Sequence, residues 1–173
     1  MQGKHGEMNK TSKKNMKPRR IVLREEYCIG CRLCEVHCIT QHSMSRNIIK
    51  AYRGTEPRPE SGIYFEESGP VSFALQCRHC DDPPCLYSCL TGALYRDRKS
   101  GQVLYNKDKC VGCWMCIMSC PLGAIKPDFK NQRAGSKCDL CLEAEFPACV
   151  ANCPNEAIIL LDENGQRMLK NDD

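Results

Sequence analysis

The chain has no long apolar run. The longest uninterrupted one is Ala157 to Leu161, far short of the roughly 18 residues that suggest a membrane-spanning helix. Aromatics make up only 6% of the residues, with a single tryptophan, and none interleaves with a basic stripe, so the stacking platform of a nucleic-acid binder is missing. The histidines His5, His37, His42 and His79 belong to no H-E-x-x-H motif, and neither G-x-S-x-G nor a Gly-rich phosphate loop is present. That removes the zinc-protease, serine-hydrolase and nucleotide-binding readings. Acid is nearly absent from residues 1–20, where Glu7 stands against Lys4, Lys10, Lys13, Lys14, Lys17, Arg19 and Arg20. No apolar stretch follows those charges, so Arg19-Arg20 is a poor twin-arginine signal and a cytoplasmic location is expected.

Cysteine is what the chain has in excess, with sixteen among 173 residues. In a secreted chain that density would read as a disulfide scaffold, but in a reducing compartment it reads as metal ligands. The formal charge of +4 counts every cysteine as a neutral thiol, which metal binding would contradict. Four groups of four account for all sixteen. Group one is Cys28, Cys31, Cys34 and Cys38; group two is Cys77, Cys80, Cys85 and Cys89. Group three is Cys110, Cys113, Cys116 and Cys120; group four is Cys138, Cys141, Cys149 and Cys153. Each ends in C-x3-C, and the last three continue alike as CLTGAL, CPLGAI and CPNEAI. The uneven gaps between groups exclude a period-based solenoid.

Ala93 to Arg96 and Gln102 to Tyr105 flank a turn and predict a β-hairpin, as do Ile158 to Leu161 and Gln166 to Leu169 around Asn164-Gly165. Ile21 to Leu23 and Val71 to Leu75 read as further strands. Short helices are expected at the last two cysteines of each group. Ser45 to Gly69, punctuated by proline and glycine, reads as loop around at most a brief strand at Ile63 to Phe65. Residues 1–20 and 170–173 read as tails, the first basic and flexible.

Zinc usually takes two well-separated C-x2-C knuckles per ion. Groups one and three instead offer three cysteines at steps of three with a fourth close behind, and group three reads CVGCWMCIMSCP. The run C-x2-C-x2-C-x3-C-P is the bacterial two-cluster ferredoxin signature, whose last cysteine ligates the other cluster. Cubane iron-sulfur clusters are therefore expected, with a zinc-bound structural or interaction module as the alternative. The chain has neither the C-x3-C-x2-C run expected of a radical S-adenosylmethionine enzyme nor a C-x2-C-H haem attachment site. His37 and His79 lie between cysteines of a group and read as partly exposed residues with an option to donate to sulfur. Trp114 reads equally as a shield for a cluster or as ordinary packing.

With CRHCDDPPC from Cys77, CVGCWMCIMSCP from Cys110, KCDLC and PACVANCP, the chain resembles the four-cluster ferredoxin-like subunits of multi-subunit oxidoreductases. These include the iron-sulfur subunits of dimethyl sulfoxide reductase and formate dehydrogenase. The run CEVHCITQHS from Cys34 looks most like the electron-carrier partners of carbon monoxide dehydrogenase and tungsten aldehyde oxidoreductase. The resemblance implies an α+β fold of two bacterial-ferredoxin-like modules, one nested within the other, with short helices, β-hairpins and long loops around four 4Fe-4S clusters. Residues 21–76 and 121–169 would form the outer module and residues 77–120 the inner one. It also implies the ligand sets Cys28, Cys31, Cys34 with Cys153; Cys138, Cys141, Cys149 with Cys38; Cys77, Cys80, Cys85 with Cys120; and Cys110, Cys113, Cys116 with Cys89. Spacing alone leaves open a sequential pairing of group one with two and three with four. The expected role is non-catalytic: an electron relay between a catalytic subunit of the tungsten aldehyde oxidoreductase or carbon monoxide dehydrogenase type and a flavoprotein, hydrogenase or ferredoxin acceptor.

Overall fold

The computed structural model describes residues 19–54 and 57–169; most of the basic N-terminal stretch and residues 170–173 lie outside it. The first half of the chain gives β1 (Arg20–Leu23), α1 (Leu33–His42), α2 (Ile48–Tyr52), β2 (Ile63–Ser68), β3 (Val71–Gln76) and α3 (Pro84–Tyr87). There follow β4 (Leu94–Arg96), β5 (Val103–Tyr105), α4 (Met115–Ser119), β6 (Pro127–Asp128) and β7 (Arg133–Ala134). Then come α5 (Ala148–Ala151), β8 (Ile158–Leu161) and β9 (Arg167–Met168). Among the described residues no helix is long and apolar enough to cross a membrane.

Strands from opposite ends of the chain make the largest sheet. β1 pairs antiparallel with β8, Arg20 facing Leu161 and Leu23 facing Ile158, and β9 adds to the far edge of β8. Alternation drives this pairing: Ile21, Ile158 and Leu160 are buried while Val22 faces solvent, the two-residue period of a half-covered strand. The expected hairpins appear as β4 with β5 and β8 with β9. Asp97 sets the first turn by accepting from the backbone N–H and the hydroxyl of Ser100 at 2.7 and 2.6 Å.

Two stretches are more ordered than their composition predicts. Residues 45–69 hold a short helix beside the expected strand, because Asn47 caps α2, its side-chain oxygen accepting from the N–H groups of Ile49 and Lys50 at 3.0 and 3.2 Å. β2 also runs on to Ser68, since Glu66 and Glu67 sit opposite Phe73 and Ser72 in a two-stranded ribbon where one side can stay wet. The short ribbon of β6 and β7 carries no alternating pattern in the sequence. It is held by Asp128, which accepts from the N–H groups of Lys130 and Asn131 at 3.0 Å.

Of the short helices, only α1 is long enough to carry both of its group's last two cysteines, Cys34 and Cys38. The other three stop early, so Cys89, Cys120 and Cys153 fall just past α3, α4 and α5.

α1 packs on α5, and α3 packs on α4. The buried side chains accordingly divide into two cores. The first gathers Ile21, Ile63, Leu140, Val150, Ile158 and Leu160 around Cys34 and Cys149. The second is smaller: Leu94, Val103, Ile125 and Ala134 around Cys85 and Cys116. Ile125 and Ala134, which the sequence boundaries assign to the outer module, thus pack into this second core.

Candidate metal centres

All sixteen cysteines are free thiols. They line four cavities, four to a cavity. Cys28, Cys31, Cys34 and Cys153 line the first, and Cys38, Cys138, Cys141 and Cys149 the second. Cys77, Cys80, Cys85 and Cys120 line the third, and Cys89, Cys110, Cys113 and Cys116 the fourth. In each, three cysteines belong to one group and the fourth to another. The first, third and fourth cavities are tight, about 20 to 30 Å³. The second opens into a groove of about 1060 Å³.

C-x3-C explains why no group fills a cavity alone. On α1, Cys34 faces the first cavity and Cys38, about one helical turn or 6 Å along, faces the second. Cys85 and Cys89 bridge the third and fourth cavities in the same way, as do Cys116 and Cys120 in reverse. Backbone strain assists at the knuckles. Gly112 has φ +72°, and a Cβ there would lie 1.9 Å from the carbonyl oxygen of Gln132. Only glycine fits that approach.

The cavities neighbour one another in a row. Cys149 of the second feels the charge of Cys34 in the first, Cys138 that of Cys77 in the third, and Cys85 that of Cys116 in the fourth. Lys137 stands at the middle joint, donating to the carbonyls of Val103 and Cys138. Cys31 and Cys113, in the two end cavities, are the exposed members of the set; the middle two cavities have none.

Several features fit a thiolate-ligated, sulfur-rich group. Backbone N–H groups of Gly62, His79, Leu94, Ala124 and Leu140 donate to the sulfurs of Cys38, Cys77, Cys89, Cys120 and Cys138 at 3.3 to 3.4 Å. Such bonds favour the thiolate over the thiol. Two buried donors on residues that line these cavities also lack any partner among the described residues: Nε2 of His79 at the third cavity and Nε1 of Trp114 at the fourth. The sulfurs of a thiolate-ligated group would offer them acceptors. Burial meanwhile pushes the free thiols up, Cys34 to about 12, Cys85 and Cys116 to about 11, and Cys149 well above the ordinary range. Loading such sites with a metal must therefore release protons.

His79 is not the partly exposed residue its sequence position suggested. It is 1% exposed, Nδ1 accepts from the Val103 N–H at 3.1 Å, and burial lowers its pKa to about 3, so the ring is neutral. His37 is half-buried. Trp114 fits both readings, since it lines the fourth cavity and packs edge-on against Phe129 with ring centroids 5.3 Å apart. His42 was missed at the sequence level. It sits four residues after Cys38 on α1 and donates through Nε2 to Asp139 Oδ1 at 3.1 Å. The i, i+4 spacing of Cys38 and His42 was the available signal.

A family profile described as a 4Fe-4S dicluster domain matches residues 71–166. The chain is 37% identical over 153 residues to the electron transport protein HydN of Escherichia coli K12, covering 79% of this chain and 84% of that one. It is 32% identical over 158 residues to an iron-sulfur protein of Rhodospirillum rubrum, covering 83% and 82% respectively. With one subunit of the anaerobic dimethyl sulfoxide reductase of Escherichia coli K12 it shares 31% identity over 140 residues, covering 76% and 67%.

Proposed function

Because the chain belongs to the 4Fe-4S dicluster family of iron-sulfur proteins, we propose that it is an electron-transfer subunit carrying four 4Fe-4S clusters in series. The relatives are named as an electron transport protein, an iron-sulfur protein and a chain of an anaerobic dimethyl sulfoxide reductase, and the role is carriage of electrons, not catalysis. The observation that supports four centres is the row of four cavities, each lined by four cysteines.

In this reading the four quartets named above are the ligand sets. Groups one and four form an outer ferredoxin-like module, and groups two and three an inner one that also recruits residues up to Ala134. Each cluster takes up and gives back a single electron at a potential set by its protein surroundings. The chain supplies those surroundings: apolar walls such as Phe65, Phe73 and Ile158 around the first cavity, N–H donors to sulfur, and short helical turns that keep neighbouring sites close. The exposed Cys31 and Cys113 mark the two ends as points of entry and exit.

The partners we assign are a catalytic oxidoreductase subunit of the tungsten aldehyde oxidoreductase or carbon monoxide dehydrogenase type and a flavoprotein, hydrogenase or ferredoxin acceptor. The CEVHCITQHS run supports that choice, and the density of reduced thiols supports a cytoplasmic setting. The test is anaerobic purification with iron and sulfide analysis. About sixteen of each per chain, with low-temperature paramagnetic signals on reduction, is the expected result. A colourless protein with about four zinc ions would replace this reading with a structural zinc module. A large tungsten or nickel-iron subunit co-purifying from native cells would identify the catalytic partner.

A further inference from the structure

Trp114, the chain's single tryptophan, occupies a backbone slot that bulky residues enter only at a cost. As the residue before α4 it has φ +58° and ψ +10°, in the left-handed region where a Cβ crowds the following carbonyl. The first cysteine group repeats the slot. CIGCRLC from Cys28 and CVGCWMC from Cys110 align residue for residue, and Arg32, the counterpart of Trp114 before α1, has φ +57° and ψ +11°.

The two side chains use that slot differently. Arg32 keeps 56% of its side chain exposed, reaches the carboxylates of Glu35 and Glu67 at 3.9 and 3.5 Å, and lies over the Phe65 ring. The slot therefore does not force a polar atom into the interior. Trp114 Nε1 is nevertheless sealed from solvent and has no acceptor among the described residues. An indole N–H can only donate, and buried donors in folded proteins are nearly always satisfied. The edge-on Phe129 ring, with centroids 5.3 Å apart, offers at best a weak π acceptor. Trp114 lines the fourth cavity together with Cys89, Cys110, Cys113 and Cys116, so the missing acceptor belongs to what that cavity holds.

We propose that Trp114 is a positioning residue for the fourth centre: its Nε1–H donates to a sulfur of the group held by Cys89, Cys110, Cys113 and Cys116 and makes that group easier to reduce. This inference rests on the four-cluster reading above. Reduction adds negative charge to the sulfurs, a donor stabilises the more charged form, and hydrogen bonds to sulfur are among the factors that set a cluster's potential. Arg32 directs its charge to carboxylates instead, so the two end centres, alike in their three-cysteine runs, are tuned by different means.

The test uses the anaerobically purified full chain, assayed first for iron and sulfide and then titrated potentiometrically while paramagnetic signals are followed. Wild-type protein without iron and sulfide would overturn the cluster reading itself, before any variant is compared. Because the chain has one tryptophan, expression in a tryptophan auxotroph fed benzothienylalanine replaces this N–H alone by sulfur and keeps the bicyclic shape. That protein should retain its full iron and show one reduction step moved to more negative potential, with the others in place. Trp114→Phe should move the same step in the same direction. Full iron with every step unmoved in the analogue protein overturns the proposal and leaves the indole to a trapped water or to Phe129. If the analogue protein loses iron, unsubstituted protein with an isotopically labelled indole nitrogen decides. A nuclear coupling of that nitrogen to a reduced, paramagnetic centre supports the hydrogen bond, and its absence overturns it.

Discussion

The two halves of the molecule solve the same problem with different means. Around groups one and four, the core is rich in large aliphatics, Ile21, Ile63, Leu140, Val150, Ile158 and Leu160, and a three-stranded sheet joins the two ends of the chain. Around groups two and three the fully buried residues of comparable size among the described ones are Leu94, Val103 and Ile125, joined by Ala134 and the cysteines, with Leu86, Tyr105 and Ile117 partly buried against them and two-stranded ribbons nearby. Small cores need staples. The inner half should thus depend on its metal for stability, while the outer half has apolar burial of its own. The cost on the outer side is distance, since Arg20 must find Leu161, a late event in folding.

Removal of iron tests that contrast with the largest expected effect. On partial chelation the Val103 and Leu94 amides should lose protection from hydrogen exchange before those of Ile21 and Leu160; simultaneous loss would erase the distinction. Next in size is the assignment of ligands across halves. Cys77→Ser and Cys120→Ser, alone or combined, should each lose about four irons per chain, because both line one cavity. Cys120→Ser combined with Cys110→Ser should lose about eight. Equal losses from both double variants would count against the crossed pairing.

Two glycines sharpen the comparison at the level of backbone packing. Gly112→Ala in the inner half meets a carbonyl oxygen at 1.9 Å with φ +72° and should cost more than about 4 kcal/mol. Gly62→Ala in the outer half meets the Cys138 Cα at 3.1 Å and should cost about 1 to 3 kcal/mol, both read from denaturant midpoints of the holoprotein. His79→Leu leaves the Val103 N–H unsatisfied, at about 1 to 3 kcal/mol. His79 also carries a pH signature. Its folded pKa lies below its unfolded one, so its contribution is complete above pH 6.5 and fades as pH falls towards 3. The difference in stability between wild type and His79→Leu should therefore shrink on acidification. The smallest effect is Asn47→Ala, which uncaps α2 in the outer half for about 1 kcal/mol, visible as a small drop in melting temperature.

Much of the chemistry was legible in the residues. CVGCWMCIMSCP and its three variants identify the ligand type, because step-of-three spacing around a cubane is a local matter of a few turns of chain. The hairpins around Gly101 and Asn164-Gly165 were equally local. The α2 cap at Asn47 was readable too, yet it was hidden by the surrounding prolines and glycines. β6 and β7 carry no alternating pattern at all, and nothing in the order of residues announced them.

What the sequence alone determined, then, is the set of thiols: sixteen cysteines in four groups, each ending in a C-x3-C pair. Which groups meet was a tertiary decision, taken by α1 on α5, α3 on α4 and β1 on β8. His42 shows the same division. Its place one turn after Cys38 is written in the chain, but Asp139 comes to it only because distant strands and helices close the outer core, and no local pattern encodes a partner 97 residues away.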